Sequence, residues 1–259
     1  MTGADRRILR FPTAAPRRLR LFCFPYAGGS AGVYRPWSAY LSPSIEICAI
    51  QPPGRESDFG SPPVGSMREF VDGIVAAMRP LLEEPFGFFG HSLGAIVAYE
   101  TALAIAREGY EPILFFASGH RAPHLPSPRP AIAHLPDDAF LHEVAKLGGM
   151  QAEVLASEEF LELVLPTLRA DFRLAECYHP SMSVGLRCPV IALGSVADYV
   201  SEESIAAWRE TTSASFAWKM FPGDHFYLNS ERVALTSYIS AAIDERLVQC
   251  TSGPKRLRT

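Results

Sequence analysis

The stretch Pro85-Phe-Gly-Phe-Phe-Gly-His-Ser-Leu-Gly94 decides the fold of this chain. Its first half is apolar and predicts a short buried strand, while its second half is a Gly-x-Ser-x-Gly pattern centred on Ser92. Residues 95–109 follow with helix-forming composition and end at a glycine that suits a helix C-cap. A strand, a tight turn and a helix in this order indicate a nucleophile elbow, which exposes a reactive serine at the carboxyl end of a sheet. The alternative is an ordinary turn, because the bare pattern also arises by chance.

The size and composition of the chain narrow the classes of protein to consider. Its 259 residues are 48% hydrophobic, enough for one large α/β domain or a domain with an inserted lid. The formal net charge is -4 and no basic stripe with interleaved aromatic residues occurs, which argues against a nucleic-acid partner. No apolar run approaches membrane-spanning length and no secretory signal is evident, so we expect a cytoplasmic protein without a membrane partner. The five cysteines lack metal-ligand spacing and are expected to be reduced.

Apolar strands alternate with helical segments on either side of the elbow. Besides the strand of the elbow itself, strands are predicted at residues 19–25, 44–50, 112–118, 189–194 and 216–221. Each of these segments is largely apolar on both faces. This pattern indicates a mainly parallel sheet with helices on both faces.

Between residues 119 and 185 the alternation stops. Helical patterns without strands predict a helical lid insertion there, and Pro166 should kink its second helix. The predicted division is a core of residues 1–118 and 186–250, a lid of residues 119–185 and a disordered tail of residues 251–259. A permanently packed helical layer is the alternative to a lid. The arginines clustered near both ends of the chain are expected to be solvated, partly disordered residues.

Three loops supply the residues of a candidate catalytic triad. A serine hydroxyl needs a base within hydrogen-bond reach, and in the α/β-hydrolase fold the partners follow in the order serine, acid, histidine, each after a strand. Ser92 is followed by Asp198, after the strand at 189–194, and by His225, after the strand at 216–221. Asp224 and Asp171 compete with Asp198 for the role of the acid. Asp224 is the chain neighbour of the histidine and Asp171 belongs to the lid, so Asp198 is preferred.

An oxyanion hole requires two backbone N–H groups beside the nucleophile. One comes from the residue after the serine, here Leu93, and the other from a loop that follows an early strand. The glycine-rich loop after the strand at 19–25 predicts Ala27 as the second donor. No pair of histidines has metal-ligand spacing on a helix, and no cysteine lies in a nucleophile motif, so a metal site and a thiol nucleophile are not expected.

With these residues assigned, the sequence resembles the type II thioesterases that accompany polyketide synthases and nonribosomal peptide synthetases. The resemblance is carried by five motifs: Phe24-Pro-Tyr-Ala-Gly-Gly-Ser30, Pro53-Gly-Arg55, Gly90-His-Ser-Leu-Gly94, Leu168-Arg-Ala-Asp-Phe172 and Gly223-Asp-His-Phe-Tyr227. It implies the same triad and oxyanion hole, and no metal or redox cofactor. It also implies the substrate, an acyl thioester on the phosphopantetheine arm of an acyl or peptidyl carrier protein domain. Members of this family remove misprimed or stalled acyl groups.

Three alternatives to this editing function remain open at the level of sequence. An acyltransferase would use the same triad but deliver the acyl group to an alcohol or an amine. A chain-releasing thioesterase would free finished medium-chain acids with a sharp preference for chain length. A carrier-protein binding module that has lost catalysis is the third alternative, although such a protein has no chemical need for an intact triad.

Overall fold

The computed structural model describes residues 7–148, 158–180 and 185–252. Its strands in these ranges are β1 (Ile8–Phe11), β2 (Leu19–Phe24), β3 (Ile45–Ile50), β4 (Phe86–His91), β5 (Phe115–Ser118), β6 (Val190–Ser195) and β7 (Phe216–Phe221). They form one sheet in the order β1-β3-β2-β4-β5-β6-β7. Every neighbouring pair is parallel except β1 with β3. The mainly parallel sheet that the sequence predicts is therefore confirmed.

Helices cover both faces of this sheet. They are α1 (Met67–Met78), α2 (Leu93–Ala106), α3 (Asp137–Lys146), α4 (Glu158–Glu176), α5 (Glu202–Ala206), α6 (Tyr227–Ser230) and α7 (Arg232–Ser252). Because side chains alternate along a strand, Phe88 packs in the core beneath α1 and α2, whereas Phe89 packs in the core formed with α7. A 3-10 helix at Ala31–Ala39 adds Tyr34 and Trp37 to the second core.

The N-terminal arginines are more ordered than the sequence suggests. β1 is an edge strand that the sequence analysis missed, and it pairs antiparallel with β3. Glu46 on β3 is buried and forms ion pairs with Arg10, Arg17 and Arg20, the last of which is itself buried. The expectation of solvation is wrong for Arg20, because a carboxylate buried in a strand needs a cationic partner. Arg10 and Arg18 are half-exposed. Residues 1–6 lie outside the described residues.

The residues between β5 and β6 contribute helices α3 and α4 and no strand within the described ranges. Their apolar faces meet in a small cluster of their own, formed by Ile132, Phe140, Val144 and Leu168. Pro166 lies inside α4, which is one helix of 19 residues rather than two segments. The lid of residues 119–185 and its boundaries stay a prediction. At the other end, α7 continues to Ser252, into the predicted tail, and residues 253–259 lie outside the described ranges.

Candidate active site

Ser92 lies in the tight turn between β4 and α2. Its backbone has φ 54° and ψ -122°, a conformation that residues other than glycine seldom adopt. Gly90 and Gly94 permit the turn, because a Cβ on Gly90 would lie 2.2 Å from the Gly94 carbonyl oxygen and one on Gly94 would lie 2.1 Å from the Phe24 carbonyl oxygen. The turn is held by a 2.8 Å hydrogen bond from the Ser92 N–H to the Ser118 carbonyl. The serine therefore stands at the carboxyl end of the sheet.

Ser92, His225 and Asp198 come together in one hydrogen-bonded chain. His225 Nε2 lies 3.0 Å from Ser92 Oγ, and His225 Nδ1 lies 2.9 Å from Asp198 Oδ2. The Asp198 side chain is fully buried and the His225 side chain is 7% exposed. With the carboxylate accepting from Nδ1–H, Nε2 is left to accept a proton from the hydroxyl.

The two competing carboxylates face other groups. Asp224 Oδ1 accepts a 2.8 Å hydrogen bond from the Phe226 N–H, which stabilises the loop that carries His225. Asp171, on α4, accepts instead from Arg55 and from the Gly28 N–H. The structure therefore places the preferred carboxylate, Asp198, behind the imidazole and leaves both competitors away from it.

The backbone N–H groups of Ala27 and Leu93 line the same cavity as Ser92. Leu93 is the first residue of α2, where an N–H has no acceptor within its own helix. Among the described residues, the Ala27 N–H donates to no backbone acceptor. The helix N-terminus adds a positive dipole end at this point. That both groups donate to an oxyanion above Ser92 stays a prediction.

A second, buried layer supports the catalytic histidine, and the sequence analysis assigned no role to it. His91 lies with its ring 5.1 Å from that of His225, and its Nδ1 is 2.8 Å from Ser118 Oγ. Ser118 Oγ is in turn 2.5 Å from the Tyr227 hydroxyl. Burial holds the pKa of His91 well below its usual value, and the neighbouring His225 acts in the same direction. His91 therefore stays neutral under the catalytic ring. Its position in the elbow was the only signal in the sequence.

A cavity of about 660 Å³ opens above Ser92 and His225. One of its walls is apolar and comes largely from α3 and α4, with Val144, Leu147, Leu163, Val164, Leu168 and Phe172. Tyr199 also lines the cavity, its ring 5.0 Å from the His225 ring. Within the described ranges no group of acidic, histidine or cysteine side chains could hold a metal ion. No helix in that part of the chain has the length and apolar character that a membrane span needs.

His120, in the same cavity, gives a prediction for stability. Burial lowers the pKa of His120 to about 3, and the Arg121 guanidinium adds to this effect. Below the unfolded-state pKa of about 6.5, the His120 imidazole binds a proton in the unfolded chain but not in the folded chain. The free energy of unfolding therefore decreases as the pH falls from about 6.5 towards 3. In the His120→Gln variant this loss should be smaller by about 2–4 kcal/mol.

Urea unfolding at pH 7, 5 and 4 measures this difference. His179→Gln, at an exposed position, controls for the substitution itself. If His120→Gln and the wild type lose the same free energy of unfolding between pH 7 and pH 4, the buried neutral state of His120 is disproved.

Comparison with known proteins agrees with this geometry. A family model described as a thioesterase domain matches residues 19–243. Thioesterase PikA5 of Streptomyces venezuelae is 40% identical over 252 residues, which cover 93% of this chain and 89% of the relative. Linear gramicidin dehydrogenase LgrE of Brevibacillus parabrevis is 40% identical over 249 residues, or 94% of this chain and 95% of the relative. The G-x-G-x-x-G turn that binds dinucleotides does not occur in this sequence.

Among solved structures, YbtT is described as a type II thioesterase from the yersiniabactin NRPS/PKS biosynthetic pathway. It superposes with a TM-score of 0.85 at 28% identity, over 93% of this chain and 99% of YbtT. The superposition confirms the α/β-hydrolase fold that the sequence predicts. Together with the family match, it shows that the chain belongs to the thioesterase family, as a serine-hydrolase-type enzyme similar to the type II thioesterases of NRPS/PKS pathways.

Proposed function

We propose that the chain hydrolyses aberrant or stalled acyl groups from the phosphopantetheine arms of acyl or peptidyl carrier protein domains, as an editing enzyme of polyketide or nonribosomal peptide synthesis. The observation that carries this proposal is the hydrogen-bonded chain from Ser92 through His225 to Asp198 at the floor of a cavity with one apolar wall. A nucleophile, a base and an orienting carboxylate in contact are what acyl transfer to water requires.

In the first half of the reaction, Ser92 Oγ attacks the thioester carbonyl carbon while His225 Nε2 takes the hydroxyl proton. The carbonyl oxygen becomes an oxyanion and receives hydrogen bonds from the N–H groups of Ala27 and Leu93. Asp198 stabilises the imidazolium that forms. The carbon–sulfur bond then breaks, and the proton on His225 passes to the departing pantetheine sulfur. An acyl-serine remains.

In the second half, water replaces the thiol. His225 takes a proton from the water as its oxygen attacks the acyl-serine carbonyl, and the same two N–H groups hold the second oxyanion. When the bond to Ser92 Oγ breaks, His225 returns the proton to the serine and the free acid leaves. No step needs a metal or redox cofactor, since the proton transfers and the charge stabilisation are supplied by the chain itself.

The size and lining of the cavity support an acyl substrate. Its volume of about 660 Å³ leaves room for an acyl group, and the apolar wall from α3 and α4 can hold that group away from bulk water. A wall of this kind should allow hydrolysis of varied acyl groups, because apolar contacts discriminate only weakly between chains that differ by one methylene.

A panel of acyl groups from acetyl to decanoyl, each presented on a carrier protein and on free pantetheine, tests the proposed function. We expect hydrolysis of most of the panel, with kcat/KM about tenfold or more higher on the carrier protein, equivalent to about 1.4 kcal/mol of added binding. A sharp optimum at medium chain length would instead assign chain release. Transfer to added alcohols or amines in preference to water would assign an acyltransferase. Absence of any turnover on every member would disprove thioesterase activity.

A further inference from the structure

Arg55 and Asp171 form a buried ion pair between the loop after β3 and helix α4. Arg55 Nη2 lies 2.7 Å from Asp171 Oδ2, and the two side chains are only 9% and 7% exposed. The same carboxylate oxygen accepts a 2.7 Å hydrogen bond from the Gly28 N–H. Arg55 Nη1 also donates to the Gly29 carbonyl at 3.0 Å. The pair therefore holds the two residues that directly follow Ala27.

Three of the sequence motifs that carry the family resemblance meet at this point. Residues 24–30 provide the loop, residues 53–55 provide the arginine, and residues 168–172 provide the aspartate. They are far apart in the chain, and none of the contacts involves Ser92, His225 or Asp198. The proposed chemistry alone leaves these contacts unexplained.

The loop that the pair holds contains a turn that requires glycine, and it packs tightly against α4. Gly28 has φ +80°, and a Cβ there would lie 2.9 Å from Leu168 Cδ1 on α4. Burial raises the pKa of Asp171, while Arg55 and the Gly28 N–H act in the opposite direction. The guanidinium and the Gly28 N–H thus favour the charged form of the buried carboxylate that they contact. An oxyanion donor must be held within about 0.5 Å of its productive position, so the orientation of this loop matters for catalysis.

We propose that Asp171 and Arg55 are positioning residues for the oxyanion hole. Through them, the packing of α4 against the loop at Gly28 and Gly29 sets the position of the Ala27 N–H. The proposal rests on the proposed acyl-transfer site. It makes α4 part of the catalytic apparatus as well as a cover over the substrate. When α4 lifts, the Gly28 N–H loses its acceptor and the loop loses its support, so the enzyme should stabilise an oxyanion only while the helix is in place.

Two variants test this coupling. Asp171→Asn keeps the shape and an acceptor for the Gly28 N–H but removes the charge. Since removal of one partner leaves a buried charge unpaired, the second variant, Arg55→Met with Asp171→Leu, removes both charges together. Asp137→Asn is the matched control, because Asp137 forms an exposed ion pair with Arg169 between α3 and α4, away from the loop.

The expected result is a loss of kcat with little change in KM. Loss of a correctly placed oxyanion donor costs about 10²–10³ in kcat. We therefore expect a fall of about tenfold for Asp171→Asn and about 100-fold for the double variant, with the control unchanged. A boronic acid that forms a tetrahedral adduct on Ser92 should lose affinity in the same proportion. An uncleavable thioether analogue of the substrate should bind as it does to the wild type.

The rate of Ser92 labelling by a fluorophosphonate separates this proposal from the proposed function. Labelling uses the oxyanion hole whatever the natural substrate is, so slower labelling of both variants would support the coupling even if the wild type hydrolysed no thioester. A lower melting temperature with unchanged kcat and unchanged labelling would assign the pair to stability alone and overturn the proposal. A raised KM with unchanged kcat would also overturn it.

Discussion

Replacing Ser92 with alanine is expected to lower kcat on an acyl-pantetheine thioester by about 10⁴–10⁶, by analogy with other serine triads. The hydroxyl lies 3.0 Å from His225 Nε2, and no other described oxygen nucleophile is hydrogen-bonded to that nitrogen. Its loss removes the acyl-enzyme route altogether. The residual activity should come only from substrate binding and the oxyanion hole. Steady-state thiol release, followed with a thiol reagent, measures the effect.

Covalent labelling provides an independent measure of the same serine. A fluorophosphonate should modify the wild type at Ser92 and leave Ser92→Ala unmodified. Ser38→Ala, at an exposed serine whose hydroxyl donates to the Arg35 carbonyl, should behave as the wild type in both assays. Near-normal turnover by folded Ser92→Ala would disprove the nucleophile. If the folded wild type resisted labelling and lacked turnover, the carrier-protein binding module would be favoured instead.

The central fold could be read from the sequence because its signals are local and strong. Each parallel strand is an apolar run, and the elbow at Ser92 combines a strand, a turn and a helix within about twenty residues. The sequence pattern did not predict the edge strand β1, because none of its four residues is fully buried. The hydrogen bond from Arg10 on this strand to Glu46 joins residues 36 positions apart, which a local pattern does not show. The expected kink at Pro166 stays a prediction, while the helical segments on either side of this residue form one continuous helix, α4.

The candidate site also contains some contacts that the sequence predicts and others that it does not. The order of Ser92, Asp198 and His225 after successive strands follows from topology, since the carboxyl ends of parallel strands meet at one edge. By contrast, the pairing of Arg55 with Asp171 and the ring contact of His91 with His225 join residues more than 100 positions apart. Charge and residue type alone do not predict which buried side chains will be in contact. Such contacts emerge only from the packed structure, and they are the ones that support the reacting groups.

Replacing Asp198 with asparagine is expected to lower kcat by about 10⁴, by analogy with the same change in serine-protease triads. The carboxylate lies 2.9 Å from His225 Nδ1 and its side chain is fully buried. An asparagine amide can donate to Nδ1, which places the imidazole proton on Nε2 and leaves no acceptor for the Ser92 hydroxyl. The geometry should survive, because the two side chains have nearly the same shape. The pH dependence of kcat and the melting temperature of the variant separate lost chemistry from lost structure.

Asp224→Asn is the matched control for this prediction. Asp224 is adjacent to His225 in the chain, yet its carboxylate accepts from the Phe226 N–H, a bond that an asparagine oxygen can also accept. Its kcat should stay within about threefold of the wild type, since exchange of one acceptor for another costs at most a modest free energy. A large loss in Asp224→Asn with a small loss in Asp198→Asn would transfer the role of the acid to Asp224. A large loss in both would show that both carboxylates hold the imidazole, Asp198 from the loop after β6 and Asp224 from the loop that carries His225. In that case Asp198→Glu, which keeps the charge but moves it, should recover part of the activity if Asp198 orients the ring.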